Sequence, residues 1–251
     1  AVTLSKYKHK FIQTNCIVVI DDYSKLKIIN NKLLTYKFLK SNITNNFYWG
    51  EVKTFNEMIK VINENKKNDS FVLKTPTDRG SRNIFYIKKK EYFNYEMQKL
   101  TEVSFKKIFQ NLNKKNSLFL MELLKKPVFD IDLLCWDGKL LRIVQRKRVH
   151  SDYPNLGHEI INKKKISDYC HEIVKFLKLS GLYDIDIMMN SKNHPCLLEI
   201  NPRKSGSLAI SLKHGIEFID DLIDLYYGKN ISKGVLHKPS TIIPYTSLKK
   251  I

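Results

Sequence analysis

No apolar run in this chain of 251 residues is long enough to cross a bilayer. The N-terminus also lacks the charged start, apolar middle and small-residue cleavage site of a secretory signal. The chain opens on Ala1 rather than Met, so its start is expected to be processed or trimmed. There is no CxxC pair: Cys16, Cys135, Cys170 and Cys196 are far apart, and three of them sit in apolar or strand-like contexts. That pattern points away from disulfides and zinc, towards buried free thiols in a reducing compartment. There is no internal repeat and no low-complexity linker. Acids are scarce beside bases, with 25 Asp and Glu against 44 Lys and Arg and a formal net charge of +19. A surplus of this size suits an anionic partner. The lysines are scattered, however, the local runs (88–90, 163–165, 146–148) are short, and no basic stripe is interleaved with aromatics. A compositional bias and a small anionic substrate are therefore expected rather than nucleic acid or membrane. Neither a Ser-His-Asp nor a Cys-His arrangement stands out, which argues against a protein nucleophile. The expected setting is cytoplasmic.

What is present is enough apolar material for a real core, 43% of residues, in one large domain or two small lobes. The run Ile17 to Ile20 predicts a strand, and apolar spacing from Leu26 to Leu39 predicts a helix over 25–40. Thr54 with Glu57 resembles a capping box that opens a helix to about residue 65. Strands are expected at 70–74, 83–88 and 118–124, and a helix at 102–112. Residues 129–136 and 139–149 flank Asp137-Gly138, a strong hairpin turn signal. A polar, irregular stretch (151–165) leads to a helix at 166–179, strands at 184–189 and 196–200, and a last helix from Glu217. Helices mixed with antiparallel hairpins make an α+β fold in two lobes.

The last hairpin carries the chemistry. In Asp184-Ile185-Asp186 the two acids share one face of a strand, and in Glu199-Ile200-Asn201 the polar pair does the same. If the strands pair, Asp186, Glu199 and Asn201 converge as oxygen ligands of the kind Mg²⁺ takes. Arg203 follows, a fixed cation suited to a phosphoryl or carboxylate charge. The same alternation would also make an ordinary solvent-facing strand. Arg146 and Arg148, on one strand face, would suit an anionic acceptor, and His150 and His158 flank the polar stretch beside Gly157.

Glu199-Ile200-Asn201-Pro202-Arg203, followed by Ser205-Gly206-Ser207, resembles the Glu-x-Asn-Pro-Arg signature of ATP-grasp enzymes, in the flavour of the carbamoyl-phosphate synthetase-like branch. The resemblance implies ATP held between two antiparallel-sheet lobes, with Asp186, Glu199 and Asn201 binding Mg²⁺ (or Mn²⁺ in its place) and Arg203 contacting phosphates or an acylphosphate. Phe71 to Pro76 and then Arg79-Gly80-Ser81-Arg82 look like the family's Val-Lys-Pro and glycine-loop stretch. Lys74 would then meet the α/β-phosphates, and the backbone around Gly80 and Ser81 would cover the triphosphate. Thr75 replaces the usual Pro, and Asn83 the usual Gly. Lys32 resembles the family's first lysine, with Asn31 in place of the usual acid. Leu118 to Leu124 resembles the strand whose Glu and following backbone bind adenine, which gives Glu122, Leu123 and Leu124 that role. Val128 stands where a ribose-binding Glu is usual, with Asp130 as a substitute.

The resemblance runs from about residue 17 to 227 and implies three segments. These are a remnant of a pre-ATP-grasp region and linker helix (1–40), a small lobe (41–122) and a large lobe with the metal site (123–251). The family's N-terminal Rossmann-like domain would be mostly absent, supplied by another chain or lost by truncation. The implied activity is that of an ATP-dependent carboxylate–amine ligase working through an acylphosphate, on small-molecule carboxylate and amine substrates, as a homo-oligomer or with a separate chain. The alternatives are a phosphotransferase with the same ATP site, and a non-catalytic basic module that binds nucleotide or nucleic acid.

Overall fold

The computed structural model describes residues 1–39, 43, 47–78, 83–88, 90–113, 117–151, 153, 156–232 and 238–244. In chain order, α1 (Val2–Lys6), α2 (Lys8–Ile12), α3 (Tyr23–Ile29) and α4 (Lys32–Leu39) lead to β1 (Trp49–Val52) and α5 (Phe55–Glu64). Next come β2 (Ser70–Lys74), β3 (Ile84–Lys88), β4 (Glu91–Asn94), β5 (Lys99–Leu100), α6 (Glu102–Asn113) and β6 (Leu118–Glu122). The remainder is β7 (Lys125–Trp136), β8 (Lys139–Arg148), β9 (His158–Ile161), α7 (Lys164–Leu177), β10 (Gly181–Met189), β11 (Pro195–Asn201), α8 (Leu208–Lys213), α9 (Phe218–Tyr226) and β12 (Ser240–Ile242). The chain divides into two compact units, one of Asn31–Lys37 and Asn45–Leu124, the other of Ala1–Asn30, Phe38–Thr44 and Lys125–Ile251.

The first of these holds a six-stranded sheet in the order β1-β6-β2-β3-β4-β5, with every pairing antiparallel. Its core is aromatic: Phe55 from α5 and Phe105 and Phe109 from α6 pack with Phe71, Phe85 and Tyr92 of the strands. The capping box is present, with Thr54 accepting from Glu57 N at 3.0 Å and Glu57 accepting from Lys53 N at 2.7 Å.

The second unit holds a sheet in the order β11-β10-β7-β8-β9-β12, also antiparallel. β7 and β8 join through Asp137 and Gly138, both at positive φ (46° and 72°), as a two-residue hairpin requires. Alternation along β7 splits the sheet into two faces. Phe129, Ile131, Leu133 and Cys135 are buried on one, and α7 packs its apolar side on β8 and β11. Asp130, Asp132 and Leu134 lie on the other. There Leu134, Val144 and Ile160 form a core with Leu208, Ile210 and Phe218. The rest of that face is charged.

Several expectations change. Ile17 to Ile20 forms no strand and pairs with neither sheet; Ile17 is 48% exposed, and the run delivers Asp21 into the unit. The helix expected over 25–40 is two helices, because the Asn31 side chain accepts from Leu34 N at 3.1 Å and so caps a new start. The stretch 151–165 contains β9, whose four residues are too short a run for their alternation to show. The strands β4, β5 and β12 and the helix α8 were not expected at all. Cys135, Cys170 and Cys196 are buried, Cys16 is exposed, and no two of them form a disulfide among the described residues.

Candidate functional site

β10 is the middle of the charged face. It pairs with β11 so that Asp184 opposes Asn201 and Asp186 opposes Glu199. On its other side Asp184 opposes Asp132 and Asp186 opposes Asp130. Residues directly opposed in an antiparallel pair share a face, so five acids and an amide meet there. Carboxylate oxygens of Asp130, Asp184 and Asp186 lie within 4.8 Å of one another. Asn201 Nδ2 donates to Glu199 Oε1 at 3.3 Å and to Asp184 Oδ2 at 3.5 Å. Asp184 Oδ1 is buried with no hydrogen-bond partner among the described residues.

The electrostatics match a cation site. Burial, then the charges of Asp132 and Asp130, push Asp184 up to about 7. Burial, then Asp184, Asp130 and Glu199, push Asp186 well above the usual carboxylate range. Asp130 goes the other way. Burial raises it, but hydrogen bonds from Arg148 and His158 and the charges of Arg148 and Arg146 more than offset that and hold it below the usual range. An all-oxygen donor set with mutually repelling carboxylates and an orphaned buried oxygen fits a hard divalent cation such as Mg²⁺.

The basic residues of the face serve the acids. Arg148 Nε donates to Asp130 Oδ2 at 2.8 Å, and its Nη2 lies 3.6 Å from Asp186 Oδ2. Arg146 is 0% exposed; its Nη2 donates to Asp132 Oδ1 at 3.0 Å and to Ser205 Oγ at 2.8 Å. Ser211 Oγ donates to the other oxygen of Asp132. Arg146 is thus a buried strut and not the surface clamp for an anionic acceptor that its strand position suggested. His158, read as a loop residue, is fully buried on β9 with Nε2 2.8 Å from Asp130 Oδ2. His150 is exposed. Arg203 is different: its side chain is 49% exposed, and Nη1 stands 3.7 Å from Asp184 Oδ2.

The sequence singled out Asp186, Glu199 and Asn201, and the register brings them together with Asp184. Asp130 joins the acids, its carboxylate engaged by Arg148 and His158. The missed signal was the pairing of β7 with β10, since the Asp130/Asp132 alternation was visible but its partner strand was not.

In the other unit, Lys74 ends β2 at 7% exposure with Nζ 5.2 Å from the centroid of the Phe119 ring. Lys32 opens α4; its N donates to Pro76 O at 2.9 Å and its Nζ to Asp78 O at 2.9 Å. Gly80 and Ser81 lie outside the described residues. Asn83, where the family has Gly, adopts φ 54°, a conformation Asn tolerates, and donates to Asp78 Oδ2 at 2.5 Å. The Glu122 carboxylate accepts from Tyr48 N at 3.0 Å and Asn68 Nδ2 at 2.9 Å, so it braces its own unit. Leu123 N donates to Ser70 O at 2.9 Å, and Leu124 is buried.

Comparison with known proteins converges on one family. A family model described as "ATP-grasp in the biosynthetic pathway with Ter operon" matches residues 114–251, more than half of the chain. None of the curated proteins compared with the chain matches it. Among solved structures, biotin carboxylase from Campylobacter jejuni, in complex with β,γ-ATP, superposes with a TM-score of 0.71 at 12% identity, over 92% of this chain and 54% of its own. N5-carboxyaminoimidazole synthetase from Staphylococcus aureus, complexed with ADP, gives 0.70 at 14%, over 97% and 62%. L-amino acid ligase from Bacillus licheniformis gives 0.60 at 13%, over 89% and 53%. The chain thus spans between about half and three fifths of these relatives. At such identities the superpositions speak for fold, and together with the family match they place two antiparallel sheets and their helices in a known frame: the chain belongs to the ATP-grasp family.

Proposed function

We propose that this chain carries the Mg-ATP site of an ATP-dependent ligase that joins a carboxylate to an amine or similar nucleophile. The observation that carries the reading is the acidic face of the second unit, where Asp184 and Asp186 oppose Asn201 and Glu199 in register. Asp186, Glu199 and Asn201, with Asp184, would hold Mg²⁺, which neutralises the phosphate charge when bound. Asp130 is kept ionised by Arg148 and completes the acid set. Lys74 is assigned to the α/β-phosphates, and Glu122, Leu123 and Leu124 to the adenine edge. Arg203 is half-exposed beside Asp184 and faces the charge that moves. The substrate carboxylate oxygen attacks the γ-phosphorus in line, the bond to the β-phosphate oxygen breaks, and ADP leaves. The nucleophile then attacks the acyl carbon, loses a proton, and phosphate departs. The protein needs no nucleophile of its own for this, only positioning and charge neutralisation. The lobes are assigned to 41–122 and 123–251, after a segment 1–40.

The test is ADP formation across a panel of carboxylates and amines with Mg-ATP. The ligase reading expects turnover that needs both substrates, and at least a hundredfold loss in Glu199→Gln. Turnover on one substrate alone would mark a phosphotransferase. ATP binding with no Mg²⁺ dependence, together with polynucleotide binding that falls steeply with salt, would mark a non-catalytic module. If Glu199→Gln left nucleotide binding and turnover unchanged, the metal assignment would be wrong.

A further inference from the structure

A cavity of about 180 Å³ lies in the second unit, lined by none of the clustered carboxylates but bordering them through Arg203. Its walls are the irregular run Val19-Ile20-Asp21, the start of β10 from Ser180 to Tyr183, the turn Pro202-Arg203-Lys204, and Leu222 of α9. Gly181 opens onto empty space: a Cβ there would meet nothing within 4 Å. The apolar contribution comes from Val19, Ile20, Leu182 and Leu222. The acid in the wall is spent, because Asp21 accepts from Lys25 Nζ at 2.5 Å, from Ser180 N at 2.8 Å and from the Tyr183 hydroxyl. Arg203 and Lys204, both exposed, are left as the charged groups of the rim. Arg203 is also the residue 3.7 Å from Asp184 in the acidic cluster.

We infer that this cavity takes the apolar tail of a small monocarboxylate, with its carboxylate at the Arg203–Lys204 rim beside the metal-binding face. The inference rests on the ligase reading, since it names the class of acid to be activated. Size supports it. At about 30 Å³ per water-sized group, 180 Å³ holds roughly six such groups. A branched five- or six-carbon acid fits that space. Charge supports it too, because a neutral apolar pocket rimmed by two cations favours an amphipathic anion over a neutral isostere or a dicarboxylate, whose second charge would be buried unpaired. Val19 and Ile20 are the part of the wall that belongs to the run, Ile17 to Ile20, expected as a strand. As an irregular segment it leaves space where a paired strand would close it.

The experiment is ligand-observed NMR with 4-methylpentanoate as the probe and 4-methylpentanamide as its neutral isostere, in parallel with calorimetric titration of Mg-ATP. The acid is expected to bind at least tenfold tighter than the amide. Val19→Trp, which fills the cavity, is expected to weaken the acid at least tenfold while Mg-ATP affinity stays within twofold. Lys204→Ala tests the rim at an exposed position that folding tolerates, and is expected to narrow the gap between acid and amide severalfold. Equal binding of acid and amide, or acid binding unaltered by Val19→Trp, would overturn the inference, as would no acid binding by a chain that binds Mg-ATP. A chain that takes the acid but binds no Mg-ATP would instead overturn the ligase reading and leave the cavity assignment standing.

Discussion

Asp184 is held among its own kind: burial and the neighbouring Asp132 and Asp130 raise it from the ordinary 3.8 to about 7. An acid whose folded-state pKa is raised binds more protons folded than unfolded. Its contribution to stability is therefore intact below 3.8 and is lost as pH rises towards 7. Asp186 shifts in the same direction. The expected outcome is a metal-free melting temperature whose difference, wild type minus Asp184→Asn, falls between pH 4 and pH 8. Scanning calorimetry measures it, and taking the difference removes the titration of groups that do not interact with Asp184. Mg²⁺ competes with those protons, so it is expected to raise the melting point more at pH 8 than at pH 5. A difference that stays flat over this range would remove the electrostatic case for a cation site. Arg146 makes the second residue-scale prediction. Arg146→Met strands the buried Asp132 and is expected to cost about 3–5 kcal/mol in denaturant unfolding. Arg146→Lys keeps the charge but loses the fork that serves Asp132 and Ser205 together, and recovers only part. Removing both charges with Asp132→Leu is expected to restore most of the loss.

The elements differ in how far they could be read beforehand. The hairpin of β7 and β8 was legible because Asp137-Gly138 supplies the two positive-φ residues a tight turn demands, between long alternating runs. The helix α5 was legible because Thr54 and Glu57 mark its start chemically. Thr54→Ala is expected to cost about 1 kcal/mol by loss of that cap, seen as a lower denaturant midpoint at unchanged slope. An unaltered midpoint would mean that Glu57 and water satisfy the helix start alone. Other elements were hidden for physical reasons. β9 has four residues, and its inward His158 reads as polar until Asp130 is seen across the sheet. Ile17 to Ile20 has strand propensity but pairs with neither sheet, and propensity without a partner decides little. At the site, Glu199, Asn201 and Asp186 were legible because a two-residue period fixes which side chains share a face. Asp130 and Asp184 were not assigned to the metal, since that needs to know that β10 lies between β7 and β11. Nothing local to either strand says so.

At the scale of the whole molecule, the net charge of +19 and the ATP site make opposing predictions about anions. A diffuse cationic surface binds polyphosphates in proportion to their charge, without need of a metal, and loses them as salt screens the surface. A built Mg-ATP site binds the folded state alone and stabilises it by mass action, by about 2.7 kcal/mol at a hundredfold excess over Kd. For a chain of this size each kcal/mol shifts the melting point by about 2–4 °C, so the expected rise is roughly 5–11 °C. It should require Mg²⁺ and ATP together, persist in 300 mM salt, and vanish in Glu199→Gln. Tripolyphosphate without metal should give a smaller rise that salt removes and Glu199→Gln does not. Thermal melts with each ligand, with and without chelator, measure all of these. If ATP and tripolyphosphate gave equal, salt-sensitive shifts in both proteins, the nucleotide would be bound by the charge of the surface. The acidic face of β7, β10 and β11 would then be a structural ion network that only resembles a metal site.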